Sequence, residues 1–317
     1  MTIKLGMIMD PIESIKTYKD SSFAMLLAAQ KKGWSLYYMQ QADIYQLDSE
    51  VYARVCKISV TDNADTWFKK SAEEIILLKD LHSIFMRKDP PFDMEYIYTT
   101  YLLEQVEKQG TLIVNKPASL RDANEKLFAT QFPQCCSPTL VSRDPALFRD
   151  FINQHQDVIL KPLDGMGGQS IFRVSPTDAN LSVILETLLS FGQQSIMAQK
   201  FIPAISLGDK RILMINGEAI PYTLARIPAK GETRGNLAAG GQGVAMPITD
   251  RERWICQQVG PRLKEMGLIF VGLDVIGDYL TEINVTSPTC IRELDSQFNL
   301  DIALQLMNCI EPMLPKK

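Results

Sequence analysis

The chain has 317 residues, of which 46% are hydrophobic and 22% charged, and this is the composition of a globular protein with room for two or three domains. Its 33 basic and 37 acidic residues leave a net charge of −4, which argues against nucleic acid as its main partner. No segment reaches the roughly 20 apolar residues that a membrane-spanning helix needs, so we expect no membrane partner.

The cysteines and histidines argue against several kinds of catalytic and metal site. There is no C-x-x-C and no Cys/His spacing typical of a metal site among the six cysteines, which are residues 56, 135, 136, 256, 290 and 309. We therefore expect reduced thiols and a cytoplasmic protein. The only histidines, His82 and His155, are far apart in the sequence, which argues against a His-rich metal site or a catalytic triad. The chemistry is expected to depend on Lys, Arg, Asp, Glu and backbone amides.

The first third of the chain alternates between strand and helix patterns. Strands are predicted at residues 3–9, 35–39, 83–86 and 111–114. Helices are predicted at residues 20–30 and 93–109, with Gly33 and Gly110 after their ends. This rhythm predicts an α/β unit with an open parallel sheet over residues 1–121.

Two further units are expected after a boundary just before residue 122. Residues 122–202 predict a compact α+β unit with helices at 122–132, 145–154 and 179–191 and strands at 139–141, 158–161, 170–174 and 195–199. Residues 203–317 begin with a hairpin, because Asn216-Gly217 suits a type I′ turn between strands 211–215 and 218–224. A glycine-rich loop, 228–243, then precedes a helix at 250–266, strands at 269–276 and 280–285, and one terminal helix at about 295–313.

A lysine and a glycine-rich turn follow each other in the middle unit. Lys161 ends an apolar strand, and Asp164-Gly165-Met-Gly167-Gly168 comes directly after it. Glycines let backbone N–H groups approach phosphate oxygens, and a lysine neutralises phosphate charge. The alternative is a flexible hairpin with a solvated lysine. The spacing is not that of a P-loop, and the turn leads into a strand rather than a helix.

Two carboxylates and an amide lie on the last pair of predicted strands. Glu282 and Asn284 share one face of their strand, and Asp274 lies on the strand before it. A two-residue turn would pair Asp274 with Thr281, whereas a three-residue turn, 277–279, would bring it opposite Glu282. We predict the second register, because it gathers three oxygen ligands suited to Mg²⁺. The alternative is an edge hairpin with solvated acids, which the apolar surroundings disfavour.

Arginines near predicted strand ends and loops form a third group, namely Arg87, Arg211, Arg226, Arg234 and Arg292. Arginine binds carboxylates and phosphates through two parallel hydrogen bonds, so the set is typical of a site for an anionic substrate. For any one of them, a surface salt bridge is an equally good interpretation. Arg234 lies inside loop 228–243, which is either a lid over a reactive intermediate or a passive loop.

Taken together, these motifs resemble bacterial glutathione synthetase, an ATP-grasp ligase. The resemblance covers nearly the whole chain in order and is carried by residues 86–93, 115–126, 161–168, 233–241 and 272–289. It implies an ATP-grasp fold preceded by the N-terminal α/β domain. It also implies an enzyme that joins γ-glutamylcysteine to glycine, with ATP converting the cysteinyl carboxylate into an acyl phosphate.

The resemblance also implies roles for individual residues. ATP would be bound by Lys126, Lys161, Gly165, Gly167, Gly168, Gln199, Lys200, Phe201, Ile202 and Asp209. Asp274, Glu282 and Asn284 would hold Mg²⁺, with Mn²⁺ as an alternative. Arg211 and Arg234 would be catalytic, and Arg87, Arg226 and Arg292 would contact the substrate. Bacterial members suggest a homotetramer. The rivals are an ATP-grasp ligase with another acid or amine, and a non-catalytic nucleotide-binding protein.

Overall fold

The computed structural model describes residues 2–165, 167–229 and 242–317. The first unit contains three helices and seven strands among these residues: β1 (Lys4–Ile8), α1 (Ser21–Lys31), β2 (Ser35–Met39), β3 (Ile44–Leu47), β4 (Glu50–Val60), β5 (Phe68–Leu77), β6 (Ser83–Met86), α2 (Met94–Lys108), β7 (Leu112–Val114) and α3 (Pro117–Asp122).

The N-terminal sheet is parallel at its centre, as the sequence predicts, and antiparallel at one side. Strands β2, β1, β6 and β7 lie side by side in parallel. The three strands β3, β4 and β5 pair antiparallel and join the sheet through β2, and the sequence analysis missed all three. For β5 the reason is that most of its residues are exposed and it shows no alternation of apolar and polar side chains.

The middle unit is a four-stranded antiparallel sheet in the order β10-β9-β11-β8. Its elements are β8 (Thr139–Ser142), α4 (Pro145–His155), β9 (Val158–Pro162), β10 (Phe172–Val174), α5 (Leu181–Leu188) and β11 (Ile196–Lys200). These elements enclose a hydrophobic cluster of their own, with Phe148, Leu160 and Ile196 fully buried in it. The unit therefore has a separate core from the rest of the described chain.

The predicted helix at 122–132 is wrong. Helix α3 ends at Asp122, and two short 3₁₀ turns follow at Phe128–Gln131 and Pro133–Cys135. The Asn124 side chain accepts hydrogen bonds from the backbone nitrogens of Lys126 at 3.2 Å and Leu127 at 2.9 Å. This local turn competes with helical hydrogen bonding and redirects the chain.

The third unit is a five-stranded sheet in the order β14-β13-β12-β15-β16. Its elements are β12 (Asp209–Ile215), β13 (Glu218–Ile227), β14 (Gln242–Pro247), α6 (Asp250–Glu265), β15 (Phe270–Ile276), β16 (Tyr279–Asn284), α7 (Ile291–Phe298) and α8 (Ile302–Ile310). The Asn216-Gly217 turn has positive φ at both residues, 49° and 83°, as a type I′ turn requires.

The predicted single terminal helix is also wrong. Helices α7 and α8 are separate, because Asn299 and Asp301 adopt left-handed backbone conformations with φ of 57° and 53°. Asn and Asp tolerate this region better than other residues with a Cβ, so they can interrupt a helical pattern without a glycine.

The first and third units share their hydrophobic cores. One cluster joins side chains of β1, α2 and β6 to those of β12, β15 and β16, and a second joins α1 to α8. The buried Asn115 amide reinforces this contact, since it donates to the carbonyls of Phe270 and Val285, both at 2.8 Å, and accepts from the Phe270 nitrogen at 2.9 Å. The predicted division at 121/122 and 202/203 remains our proposal for the domain boundaries. No helix among the described residues is long and apolar enough to cross a membrane.

Candidate active site

A cavity of about 560 Å³ lies between the sheet of the middle unit and the sheet of the third unit, and it extends to the N-terminus of α1. Sixteen of the residues singled out in the sequence line it: Arg87, Lys126, Lys161, Gly165, Gly167, Gly168, Gln199, Lys200, Phe201, Ile202, Asp209, Arg211, Arg226, Asp274, Glu282 and Asn284. Charged groups from four strands of the third unit therefore face a glycine-rich turn of the middle unit.

Four charges form an alternating chain along one wall. Asp209 and Arg211 lie on β12, opposite Arg226 on β13 and Asp274 on β15 respectively. Arg211 donates from Nε to Asp274 Oδ1 at 2.6 Å and from Nη2 to Oδ2 at 3.1 Å. Arg226 Nη2 lies 2.9 Å from Asp274 Oδ2 and 2.6 Å from Asp209 Oδ2. Antiparallel pairing thus places two acids and two arginines in one buried row.

This row changes the pKa of its members. Burial alone would raise the pKa of Asp274, but the charges of Arg211 and Arg226 outweigh burial and hold that pKa well below its usual range. Burial raises the pKa of Asp209 to about 6, although Arg226 opposes the shift. Asp209 Oδ1 is buried without a hydrogen-bond partner, and Asp209 lines the cavity. It is therefore an acceptor that a ligand hydroxyl can satisfy.

The hairpin of β15 and β16 brings Asp274 opposite Glu282, as predicted, but by a different route. The turn has two residues, Gly277 and Asp278, since Ile276 pairs with Tyr279. A β-bulge between Asp274 and Val275 then shifts the register by one residue, so Thr281 has no partner and Glu282 faces Asp274. The predicted three-residue turn is wrong. The bulge, and not the turn, brings Asp274 opposite Glu282.

Two lysines lie on the opposite wall. Lys126 Nζ lies 3.2 Å from Glu282 Oε1 and donates to the Gly165 carbonyl at 2.9 Å. Lys161 Nζ is 3.4 Å from the Thr281 carbonyl, and burial lowers the pKa of Lys161 to about 8. Both lysines are buried beside the glycine turn, whose Gly165 and Gly167 have positive φ of 101° and 69°. This wall can bind an anion that takes the place of these internal contacts.

Another part of the cavity lies beside the end of β11. Gln199 and Lys200 end that strand, and Phe201 and Ile202 follow it. The guanidinium of Arg173 stacks on the Phe201 ring with its carbon 3.7 Å from the ring centroid. Arg173 lines the cavity, and the sequence analysis missed it because only its partner strand reveals its position.

Arg87 enters the cavity from the end of β6. Its Nε donates to Ser22 Oγ at 3.1 Å and its Nη2 donates to the Pro288 carbonyl at 2.8 Å, while the guanidinium carbon lies 5.6 Å from the Phe270 ring centroid. These contacts hold the charge at the junction of the first and third units. Burial lowers the pKa of Arg87.

Two predicted residues remain, of which one lies away from the cavity and the other lies outside the described residues. Arg292 is not among the residues that line the cavity, and its Nη2 binds Asp62 at 2.8 and 3.0 Å. Its role as a substrate contact remains a prediction. Arg234 and most of loop 228–243 lie outside the described residues.

Glu125 is a cavity residue that the sequence analysis did not identify. Its Oε1 accepts hydrogen bonds from the nitrogens of Val285 and Thr286 at 2.9 and 3.0 Å and from Thr286 Oγ1 at 2.8 Å. Burial, followed by the charge of Glu282, raises the pKa of Glu125. Its carboxylate fixes the chain just after Asn284. Its position next to Lys126 in the sequence was the only available signal.

Cys290 also lines the cavity, at the N-terminus of α7. Burial raises the pKa of its thiol, so the thiolate that a nucleophile needs is disfavoured. A buried structural thiol therefore fits this position better than a nucleophile does.

Comparison with known proteins gives the family. The sequence profile of the prokaryotic glutathione synthetase N-terminal domain matches residues 3–121, and that of the prokaryotic glutathione synthetase ATP-grasp domain matches residues 125–299. This chain belongs to the prokaryotic glutathione synthetase family. The glutathione synthetase of Pseudomonas putida is 63% identical over 314 residues, which are 99% of both chains. The glutathione synthetase of Escherichia coli is 57% identical over 315 residues, which are 99% of this chain and all of that one.

Solved structures confirm the ATP-grasp fold. A D-cycloserine synthetase has a TM-score of 0.69 at 14% identity, with 98% of this chain and 99% of that one covered. The ATP-grasp ligase PsnB, solved with a minimal precursor, has a TM-score of 0.64 at 15% identity, with 98% and 99% covered. Both show the fold alone. Membership of the glutathione synthetase family makes this protein an ATP-dependent ligase that uses ATP with a divalent metal ion.

The residues on the cavity wall fit a divalent metal. Among the described residues no group of three His, Cys, Asp or Glu side chains is placed to hold a metal. The predicted metal site therefore depends on the side-chain amide of Asn284 as its third ligand. Asn284 donates its amide nitrogen to the Gly272 carbonyl at 3.2 Å, which leaves the amide oxygen as the ligating atom. A carboxylate oxygen has two lone pairs, and Asp274 Oδ1 accepts a single hydrogen bond, from Arg211. Hard oxygens remain available on Asp274, Glu282 and Asn284.

Proposed function

We propose that this cavity ligates γ-L-glutamyl-L-cysteine to glycine, with ATP split to ADP and phosphate. The observation that carries the proposal is the pairing of two walls: a buried row of alternating acids and arginines faces two buried lysines beside a glycine turn. Such a site can hold a polyphosphate at one side and stabilise charge that develops on a carboxylate at the other.

A carboxylate is a poor electrophile, which is why ATP is consumed. The cysteinyl carboxylate oxygen attacks the γ-phosphorus of ATP, the bond to ADP breaks, and an acyl phosphate forms. The glycine amine then attacks the acyl carbon, phosphate leaves with the bonding electrons, and the amine loses its proton. No protein side chain forms a covalent bond in this sequence.

The side chains take roles according to their position. Lys126 and Lys161 bind the ATP phosphates together with the backbone of the glycine turn, whose N–H groups are free of bulky side chains. Gln199, Lys200, Phe201 and Ile202 form the adenine slot. Asp209 accepts a hydrogen bond from a ribose hydroxyl through its unpartnered Oδ1.

Arg211 stabilises the acyl phosphate and the tetrahedral species that follows, since its guanidinium is held rigidly by Asp274 and does not reorganise as charge develops. Arg87 and Arg226 are positioned to receive carboxylates of the peptide substrate. Asp274, Glu282 and Asn284 would hold Mg²⁺, with Mn²⁺ as the alternative, and the metal supplies charge neutralisation of the phosphates when it is bound.

Phosphate release tests this function directly. We expect release with ATP, Mg²⁺, γ-glutamylcysteine and glycine together, and stoichiometric glutathione by mass spectrometry. No release with this pair, but release with another acid or amine, would favour a different ATP-grasp ligase. No release with any pair, together with tight ATP binding, would favour the non-catalytic nucleotide-binding protein. Lys161→Met is the matched inactive control.

We also propose an assembly and a location for this protein. The resemblance predicts a homotetramer. The six cysteines all lie in described residues and all are unpaired, and this supports a reducing compartment such as the cytoplasm.

A further inference from the structure

Glu125 contacts the chain on both sides of Asn284, the residue that ends β16. The backbone carbonyl of Glu125 accepts a hydrogen bond from the Ile283 nitrogen at 2.8 Å. Its side-chain Oε1 accepts from the Val285 nitrogen at 2.9 Å and from the Thr286 nitrogen at 3.0 Å. A single residue therefore fixes the backbone immediately before and immediately after Asn284.

Strand β16 lies at the end of its sheet, so only one of its edges has a strand as a partner. It pairs with β15 on that edge, and no other described strand pairs with its second edge. On the β15 side, Asn284 is paired with Gly272 and donates its amide nitrogen to the Gly272 carbonyl at 3.2 Å. Successive backbone N–H groups of a strand point to opposite edges, and Glu125 accepts those of the second edge. Glu125 thus takes the place of a neighbouring strand at this point.

Two further contacts strengthen the hold on the residues after Asn284. The Thr286 hydroxyl donates to the same Oε1 of Glu125 at 2.8 Å, so one carboxylate oxygen accepts from three donors. Hydrogen bonds to an ionised acceptor are roughly twice as strong as those between neutral groups. The Asn115 amide donates to the Val285 carbonyl at 2.8 Å, so Val285 is held at both its N–H and its carbonyl. These contacts fix the backbone from which the Asn284 side chain projects.

We propose that Glu125 is a positioning residue of the metal site, which holds the Asn284 amide oxygen in place for a divalent ion. The inference rests on the proposed function, since it is there that Asn284 is assigned to the metal. Glu125 is not itself a ligand in this proposal, because among the described residues no three acidic side chains are placed to share an ion. Replacement of a residue that orients a metal ligand typically weakens metal binding by roughly 10–100-fold.

Three variants of Glu125 separate a positioning role from a direct effect of its charge on the ion. Glu125→Ala removes the acceptor of three hydrogen bonds, and Glu125→Asp keeps the charge on a side chain that is too short to reach the three donors. Glu125→Gln removes the charge but keeps an oxygen at the same distance from the backbone. We expect the alanine and aspartate variants to raise the Kd for Mn²⁺ by at least about tenfold, and the glutamine variant to stay close to the wild type.

The Kd is measured by electron paramagnetic resonance of Mn²⁺ with a non-hydrolysable ATP analogue, in the absence of γ-glutamylcysteine and glycine. It therefore does not depend on which acid and amine the protein joins. A wild type that binds Mn²⁺ with the analogue but releases no phosphate with ATP, γ-glutamylcysteine and glycine would contradict the proposed function alone. The role of Glu125 is decided by the Kd values of the variants.

Hydrogen exchange gives a second measurement, which needs no metal, nucleotide or activity. In the metal-free protein, peptides that contain residues 283–286 should exchange faster in Glu125→Ala than in the wild type. They should exchange at the wild-type rate in Glu125→Gln, because its amide oxygen can still accept from Val285 and Thr286. Glu186→Ala, at an exposed position of α5, is the matched control and should leave both the exchange and the Kd unchanged.

Thr286 provides a milder test in case Glu125→Ala does not fold. Thr286→Val removes one of the three hydrogen bonds and should also raise the Kd for Mn²⁺, whereas Thr286→Ser keeps the hydroxyl and should not. Circular dichroism and the thermal midpoint establish that each variant is folded. Faster exchange in Glu125→Ala with an unchanged Kd would overturn the proposal and leave Glu125 a structural role only. An equal rise of the Kd in Glu125→Gln and Glu125→Ala would also overturn it, because the charge would then act on the ion directly.

Discussion

Arg211 and Asp274 are joined by two hydrogen bonds of 2.6 and 3.1 Å across paired positions of β12 and β15, and both side chains are buried. Gly272 makes room for this pair, since a Cβ there would lie 2.9 Å from Arg211 Cδ and 3.0 Å from Pro288 Cβ. The geometry holds a guanidinium in a fixed orientation towards the cavity. Such preorganisation is what an anionic transition state needs from a cation.

Arg211→Lys should lower kcat by roughly 10²–10³-fold, because an ammonium keeps the charge but loses the planar pair of N–H donors. The KM for ATP should change little, since our proposal assigns the phosphates to Lys126 and Lys161. Steady-state phosphate release measures both values. Arg262→Lys, at an exposed position, is the matched control and should behave as the wild type. An Arg211→Lys enzyme with wild-type kcat would remove Arg211 from the catalytic step.

Glu282→Gln should raise the Mg²⁺ concentration needed for half-maximal activity by at least about tenfold, because a neutral amide is a weaker ligand than a carboxylate. A titration of activity against free Mg²⁺ at saturating ATP checks this. Glu218→Gln, an exposed substitution of the same type, serves as the control. An unchanged metal requirement would show that the metal is bound elsewhere.

ATP affinity should weaken above pH 8. Lys161 has a pKa of about 8 in the fold, lowered by burial from its ordinary 10.5, so its ammonium is lost above that pH. We expect the Kd for ATP to rise roughly tenfold between pH 7.5 and 9.5 by calorimetry. Lys161→Arg should abolish the dependence, because arginine stays protonated. An equal pH dependence in that variant would assign the effect to another group.

The lowered pKa of Lys161 also makes the free energy of unfolding depend on pH. Between pH 8 and 10.5 the unfolded chain binds a proton at Lys161 that the folded chain has lost. The contribution of this group to the free energy of unfolding therefore increases as pH rises through that window. Denaturant titrations of the wild type and Lys161→Met at pH 8 and 10 isolate it: the gain between the two pH values should be smaller in the variant.

Gly217→Ala should destabilise the fold by about 2–3 kcal/mol. Gly217 has φ of 83°, and a Cβ there would lie 2.7 Å from the Gly260 carbonyl oxygen on α6. The control is Gly33→Ala, where φ is 77° and no atom lies within 4 Å, so only the conformational cost of about 1 kcal/mol applies. Denaturant unfolding measures the difference. Equal losses of stability in the two variants would show that α6 can move away from the added Cβ at no cost in free energy.

Sequence patterns were sufficient for several elements in which a local rule decides the structure. The Asn216-Gly217 turn, the helices that begin near Asp20 and Asp93 and the parallel core of the N-terminal sheet were all predicted from short-range preferences. Strand β5 could not be predicted in this way, because its polar residues satisfy no periodic pattern. The bulge near Asp274 could not be predicted either, since the register there depends on the partner strand rather than on the turn.

The sequence by itself determined the family, the nucleotide-dependent chemistry and the identity of nine of the eighteen charged residues that line the cavity, because most of the nine lie in long contiguous motifs. Only the tertiary structure decided which charges meet. Arg211 and Asp274 are 63 residues apart, and antiparallel pairing makes them neighbours. Burial then lowers the local dielectric, so partners that would interact weakly in water determine each other's protonation and orientation.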